Sequence, residues 1–190
     1  MSYNISAYCR IASNTIWRNQ EVLFSEDGVD SLEFFKSAYK FLEVKYPKFY
    51  KMDALSKLAF LAAEVLLGSP LSEVKNQDVA LLFSSRSGSL DTDIKHQNSI
   101  SDVDNYYPSP AVFVYTLSNI CLGEVSIRHG LQSEHSFFIS EEYPTDLLFA
   151  SAEYLLQTDA STKVVCGWIE LVGEDYECML YVIEKEGNIT

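Results

Sequence analysis

Residues 109–157, SPAVFVYTLSNICLGEVSIRHGLQSEHSFFISEEYPTDLLFASAEYLLQ, leave this chain few ways to fold, because they spell helix, short strand, sharp turn and second helix with almost no slack. Ser109 suits an N-cap and Pro110 the first helical turn, where a missing N–H costs nothing. Val112, Tyr115, Leu117, Ile120, Cys121, Val125 and Ile127 then keep the chain apolar until Gly130 can close the helix. One mostly buried helix is therefore predicted from 110 to 129. Residues 136–140 (SFFIS) are too short and too aromatic for another helix and read as a strand. Glu141 and Glu142 follow, and Pro144 opens a new helical pattern. A strand thus feeds a turn that presents a helix N-terminus.

The flanking sequence supplies the rest of a sheet. Tyr3, Ile5, Ala7, Cys9 and Ile11 alternate as a first strand, and residues 21–24 add an edge segment. Leu32, Phe35, Tyr39, Leu42 and Tyr46 recur at intervals of three and four, which predicts an amphipathic helix over 30–46 that ends before Pro47. Within 52–67, Leu55, Leu58, Ala59, Ala62 and Leu66 form one apolar helical face. Residues 78–84 (DVALLFS) suit a buried parallel strand, and Asp91, Thr92 and Asp93 suit the start of the helix that follows. Between them, Ser85-Arg86-Ser87-Gly88-Ser89 has neither the Lys-Ser/Thr of a P-loop nor the three glycines of a dinucleotide site, so a plain strand-to-helix connection is expected. Residues 163–172 and 176–186, joined by Gly173-Glu174-Asp175, read as a hairpin. The prediction is a single α/β domain over 1–190: a mixed five-stranded sheet, helices on both faces and a C-terminal antiparallel hairpin.

At 190 residues and 47% apolar, the chain can bury one sizeable core. Its net charge of −13 argues against nucleic acid as a partner, since phosphate contacts need clustered Lys or Arg. The one basic stretch, Lys36, Lys40, Lys45, Lys48 and Lys51, reads as solvated helix positions. Cys9, Cys121, Cys166 and Cys178 sit among apolar neighbours at irregular spacing and read as reduced, buried thiols. His96, His129 and His135 have no ligand spacing, so no metal site is expected. No run approaches the roughly 18 apolar residues that span a bilayer, and the first residues lack a signal-peptide pattern. The expectation is a cytoplasmic protein with no membrane span.

Three stretches in order, MDALSKLAFLAAEVLL (52–67), LLFSSRSGSLDTDIKHQ (81–97) and PSPAVFVYTLSNICLGEVSIRHGLQ (108–132), resemble the N-terminal domain of β-ketoacyl synthases, of the thiolase-like superfamily. The resemblance implies half of a thiolase fold and no cofactor. It also implies a catalytic elbow after the SFFIS strand, where the family places a nucleophilic cysteine whose thiolate is stabilised by the helix N-terminus. Here the turn reads Ser140-Glu141-Glu142-Tyr143, with Glu141 or Glu142 at the nucleophile's place. The family's catalytic histidine pair and lysine lie in a C-terminal half outside the matched stretch.

Two functions follow. The first is a non-catalytic, ketosynthase-like subunit of type II fatty acid or polyketide biosynthesis, partnered by a full β-ketoacyl synthase or by a second copy of itself. In the family the strand before the elbow pairs between subunits, which makes Phe137, Phe138 and Ile139 the expected interface. Acyl carrier protein is a further possible partner, although an acidic chain would need a local basic patch to dock one. The second is an acyl-thioester enzyme, an acyltransferase or hydrolase, using Glu141 or Glu142 as acid and base. As residues alone, adjacent carboxylates at a helix start are more commonly capping and dipole partners.

Overall fold

In the computed structural model, which describes residues 2–68, 78–102, 104 and 106–185, the alternating start forms β1 (Tyr3–Ala12). Ser13 and Asn14 both adopt positive φ, 46° and 52°, and so turn the chain in two residues into β2 (Thr15–Arg18). Left-handed backbone at both central positions matches the twist of a tight hairpin, and Asn tolerates it better than most residues. β3 (Glu21–Ser25) follows. The sheet therefore has seven strands where five were expected, because the β2–β3 segment extends it past β1.

Asp30 caps α1 (Ser31–Phe41), its Oδ1 accepting from the Glu33 amide at 2.8 Å. This helix stops short of the expected Tyr46: Glu43 turns left-handed at φ 54°, and a 3-10 turn at Pro47–Lys51 carries the chain onward. Asp53 likewise caps α2 (Ala54–Leu67), accepting from the Ser56 amide at 2.9 Å. In place of one apolar face, α2 is buried all round, every residue from Ala54 to Leu66, including Lys57 and Glu64. It is the central helix of its layer.

β4 (Val79–Ser85) is buried along its whole length and leads into α3 (Leu90–Ile100). The single helix expected over 110–129 is two, α4 (Pro110–Val114) and α5 (Ile120–His129). Ser109 does cap α4, with its Oγ 3.3 Å from the Val112 amide. After Val114 the backbone bonds switch to the tighter i→i+3 pattern, and the Thr116 hydroxyl donates to the Phe113 carbonyl, the local competition by which Thr, Ser and Asn interrupt helices. The prediction of burial also fails for α4, none of whose residues is buried, while α5 buries Cys121, Leu122, Glu124, Val125 and His129. Gly130 closes α5 at φ 67°.

β5 (His135–Ile139) and α6 (Thr145–Gln157) come next, then β6 (Lys163–Val172) and β7 (Asp175–Lys185). The strand order is β3-β2-β1-β7-β6-β4-β5, with β4 parallel to β5 and β6, and the remaining pairs antiparallel. One face packs under α1, α2 and α5 around Phe34, Leu58, Phe60, Phe83, Val125 and Leu180. Among the described residues the opposite face is covered by α6, through Leu148, Ala152, Leu155 and Leu156 against Ala80, Leu82, Val164 and Cys166. Helices do lie on both faces, and the α6 face leaves part of β1 and β7 open. No helix among the described residues is long and apolar enough to cross a membrane.

Candidate functional site

The parallel strands β4 and β5 end side by side, and the Ser140 amide donates to the Ser85 carbonyl at 3.0 Å. The loop after β4 and the turn after β5 therefore share one corner of the sheet. Three donors of the first loop converge on one carboxylate. Glu170 accepts from the Ser85 hydroxyl at 2.8 Å, from the Arg86 amide at 2.8 Å and from the Ser87 amide at 3.1 and 3.2 Å, while the Gly88 amide is taken by Ser85 Oγ at 2.8 Å. Burial pushes the Glu170 carboxyl up, but these hydrogen bonds outweigh it and hold it below the ordinary carboxylate value. The donors of the Ser/Gly loop are thus satisfied from within, and the loop is the structural connection expected of it. Only Glu170, a lone acid in the apolar run of β6, signalled this in the sequence.

The turn is tied to that loop by Arg86, whose Nε donates to the Glu141 carbonyl at 3.0 Å. Glu141 and Glu142 are exposed, and their carboxylates make no hydrogen bond or ion pair among the described residues. They do not cap α6, whose N-cap is Pro144 without a side-chain bond, and Asp146 is the acid in its first turn. The capping role expected of the pair is corrected accordingly.

Glu142 does border a groove of about 560 Å³ on the open part of the sheet. Its lining combines Tyr8, Tyr143, Trp168 and Tyr181 with the apolar Ile5 and Met179 and the charged Arg86, Glu142 and Glu177. Tyr143 and Tyr181 share a hydrogen bond of 2.6 Å between hydroxyls, and Tyr143 meets Trp168 edge to face. Burial, reinforced by that bond, raises the Tyr143 phenol above its ordinary value, so it is a neutral hydroxyl in the working range. Such a lining accommodates an apolar chain with a few polar groups to fix its orientation.

None of the lining residues is a cysteine or histidine. All four thiols are free and buried, and burial pushes every one of them up, Cys9 and Cys166 to about 12. A neutral, enclosed thiol is a poor nucleophile. His129 is buried beside Glu64, and His96 lies against Phe113 on α3. No group of His, Cys, Asp or Glu among the described residues could hold a metal ion.

β5 is the edge strand of the sheet. Its aromatic residues divide between the faces, Phe137 packing with the α2 layer and Phe138 with the α6 layer, while Ile139 stands 62% exposed. Ile139 lies beside Ser118 over Gly88, and the neighbouring Leu117 and Leu90 are also exposed.

No family model matches this chain, and no curated protein matches it. Among solved structures it is similar over 99% of its length to the ishigamide ketosynthase/chain length factor, at 14% identity and a TM-score of 0.71. It is similar to a ketosynthase (ApeO) in complex with its chain length factor (ApeC) from Xenorhabdus doucetiae over 99%, at 16% identity and a TM-score of 0.60. A third likeness, over 97% at 12% identity and a TM-score of 0.64, is to a type II polyketide synthase acyl carrier protein in complex with its ketosynthase bound to the hexaketide. The chain spans 63% of the first of these structures and 62% of the third. The likeness establishes the thiolase-like α/β fold that the three sequence stretches implied.

Proposed function

We propose that this chain is a ketosynthase-like subunit of acyl-chain or polyketide assembly that carries no condensing activity itself and works by pairing with a full β-ketoacyl synthase or with a second copy of itself. The observation that carries the proposal is the turn after β5: where the resemblance places a thiolate, the chain has Glu141 and Glu142, whose exposed carboxylates have no hydrogen-bond or ion-pair partner among the described residues, and every cysteine is buried elsewhere. The groove beside it, apolar and aromatic, suits an acyl or polyketide chain held in place. The acyl-thioester enzyme is the second reading because Glu142 lines that groove together with Arg86; it needs a nucleophile that the lining residues do not supply.

The expected result is that incubation with malonyl- or acyl-loaded carrier protein leaves the intact mass unchanged. A covalent acyl adduct, lost on replacing one cysteine with serine, would overturn the reading. Hydrolysis of the acyl thioester that disappears in Glu142→Gln would instead establish the second.

Pairing is proposed through β5, an edge strand whose last residue continues into exposed Leu117 and Leu90, since an open apolar edge is an association site in a soluble protein. Ile139→Lys tests it better than a change at Phe138, because Ile139 is exposed in the monomer and Phe138 packs with α6. An ammonium desolvated in the interface costs on the order of several kcal/mol. Light scattering should therefore show a dimer, or a complex with a co-expressed full ketosynthase, that Ile139→Lys dissociates. Acyl carrier protein is the remaining candidate partner, tested in the same assay. A wild type that is monomeric both alone and with the synthase would sink the pairing.

A further inference from the structure

One lysine of the basic stretch, Lys51, meets lysines of two other elements in the fold. A hollow of about 230 Å³ lies between the start of α2, α3 and α4, lined by Lys51, Lys57 and Lys95 against one carboxylate, Asp53. Leu32, Ala111, Val112 and Tyr115 complete its wall. Lys36 stands one turn beyond Leu32 on α1 and adds to the positive potential felt at Lys57. In a chain of net charge −13, this is a cationic concavity set against the field of the whole molecule.

Two features make it more than a group of surface lysines. Lys57 is only 8% exposed, yet its ammonium, which carries three donors, has a single hydrogen-bond acceptor among the described residues, the Met52 carbonyl. The one carboxylate in the lining, Asp53, accepts from the Ser56 amide at 2.9 Å and from the Thr92 hydroxyl at 2.8 Å, and makes no hydrogen bond to the Lys57 ammonium among the described residues. Lys95 in turn pairs with Asp91 outside the lining, at 2.6 Å. Burial, together with the positive charges of Lys36 and Lys95, pulls the Lys57 ammonium below its ordinary value against the pull of Asp53. A bound anion would relieve that opposition and satisfy the spare donors.

We propose that this hollow binds a compact phosphate group, with Lys57 at its base and Lys51 and Lys95 as the flanking arms. Its volume is below that of pockets taking drug-sized ligands, roughly 300 Å³ and upward, and suits a small oxyanion. The site is separate from the groove at the β5 turn and does not rest on the ketosynthase-like reading.

Isothermal titration with inorganic phosphate, at an ionic strength fixed with chloride, tests it. One saturable site is expected, weakened at least tenfold in Lys57→Met and in the paired variant Lys51→Ala with Lys95→Ala, and unchanged in Lys40→Ala with Lys45→Ala. The paired variant alters exposed side chains only, so the test stands even where Lys57→Met fails to fold. Parallel titrations with acetate separate a phosphate site from a carboxylate site. Heat from phosphate no different from that of chloride, equal binding by the paired variant, or binding of acetate in preference to phosphate would each overturn the proposal.

Discussion

Gly167→Ala is expected to destabilise the fold by about 3 kcal/mol or more, lowering the melting midpoint by about 6–12 °C for a domain of this size. A methyl group at 167 would fall on the Met179 carbonyl oxygen and lie 2.9 Å from Leu180 Cα and 2.6 Å from its Cδ2. The first two of these belong to the backbone of β7, to which Gly167 is paired opposite Leu180. On the other side Gly167 is held opposite Phe83 of β4. The strand therefore has no direction in which to give without breaking a ladder at the centre of the sheet. Gly130→Ala is the comparison: the added methyl meets nothing within 4 Å, so only the left-handed φ of 67° is strained, at roughly 1–2 kcal/mol. Thermal and urea unfolding should rank the two variants in that order. A Gly167→Ala protein that melts with the wild type would mean that β6 and β7 are not in this register.

Gly167 illustrates which parts of the fold the sequence made legible. The longer elements, β1, α2, β4, α6 and the β6–β7 hairpin, are readable because an apolar run or alternation extends over many residues at once. A glycine inside KVVCGWIELV was a sign of close backbone approach, but the apolar run around it already reads as an ordinary strand. β2 is only four residues long, and the turn that creates it uses Ser13-Asn14 with no glycine to mark it. The break between α4 and α5 joins the local Thr116 bond to a tertiary contact invisible in one dimension: the Ser118 hydroxyl accepts from the Ser89 amide at 3.0 Å, across 29 positions of sequence. The corner after β5 was foreseeable as a turn before a helix. That Glu170 would fill the loop beside it was not, because the partnership joins residues 83 to 85 positions apart. The lysine hollow is the same case, assembled from three separate stretches that each look solvated.

The second large effect concerns two charges buried between α2 and α5. Glu64, with 2% of its side chain exposed, receives Arg128 through Nε at 2.7 Å and Nη2 at 3.2 Å, and His129 Nε2 lies 3.3 Å away without hydrogen-bond geometry. Arg128 itself is 12% exposed and lies over the rings of Tyr46 and Phe60, at 5.2 and 5.9 Å. Water cannot replace the carboxylate in such a place. Glu64→Gln keeps the shape and removes the charge, leaving a guanidinium with aromatic faces and no counter-ion, and is expected to cost about 3–5 kcal/mol. The pH dependence has a definite sign. Burial alone would raise the Glu64 carboxyl, but its His129 and Arg128 neighbours prevail and set it below its unfolded value of 4.5. A depressed carboxyl contributes stability that is present above pH 4.5 and is lost as pH falls through the folded value. Urea unfolding from pH 7 to pH 3 should then show wild type converging on Glu64→Gln as the solution is acidified, and the difference curve isolates Glu64 from the other depressed carboxyls, Glu170 and Glu184. A double replacement, Glu64→Leu with Arg128→Met, should recover most of the loss, because it removes both desolvation costs together with the attraction. A Glu64→Gln protein within 1 kcal/mol of wild type at pH 7, or a gap that widens in acid, would show that the pair does not hold α5 against α2.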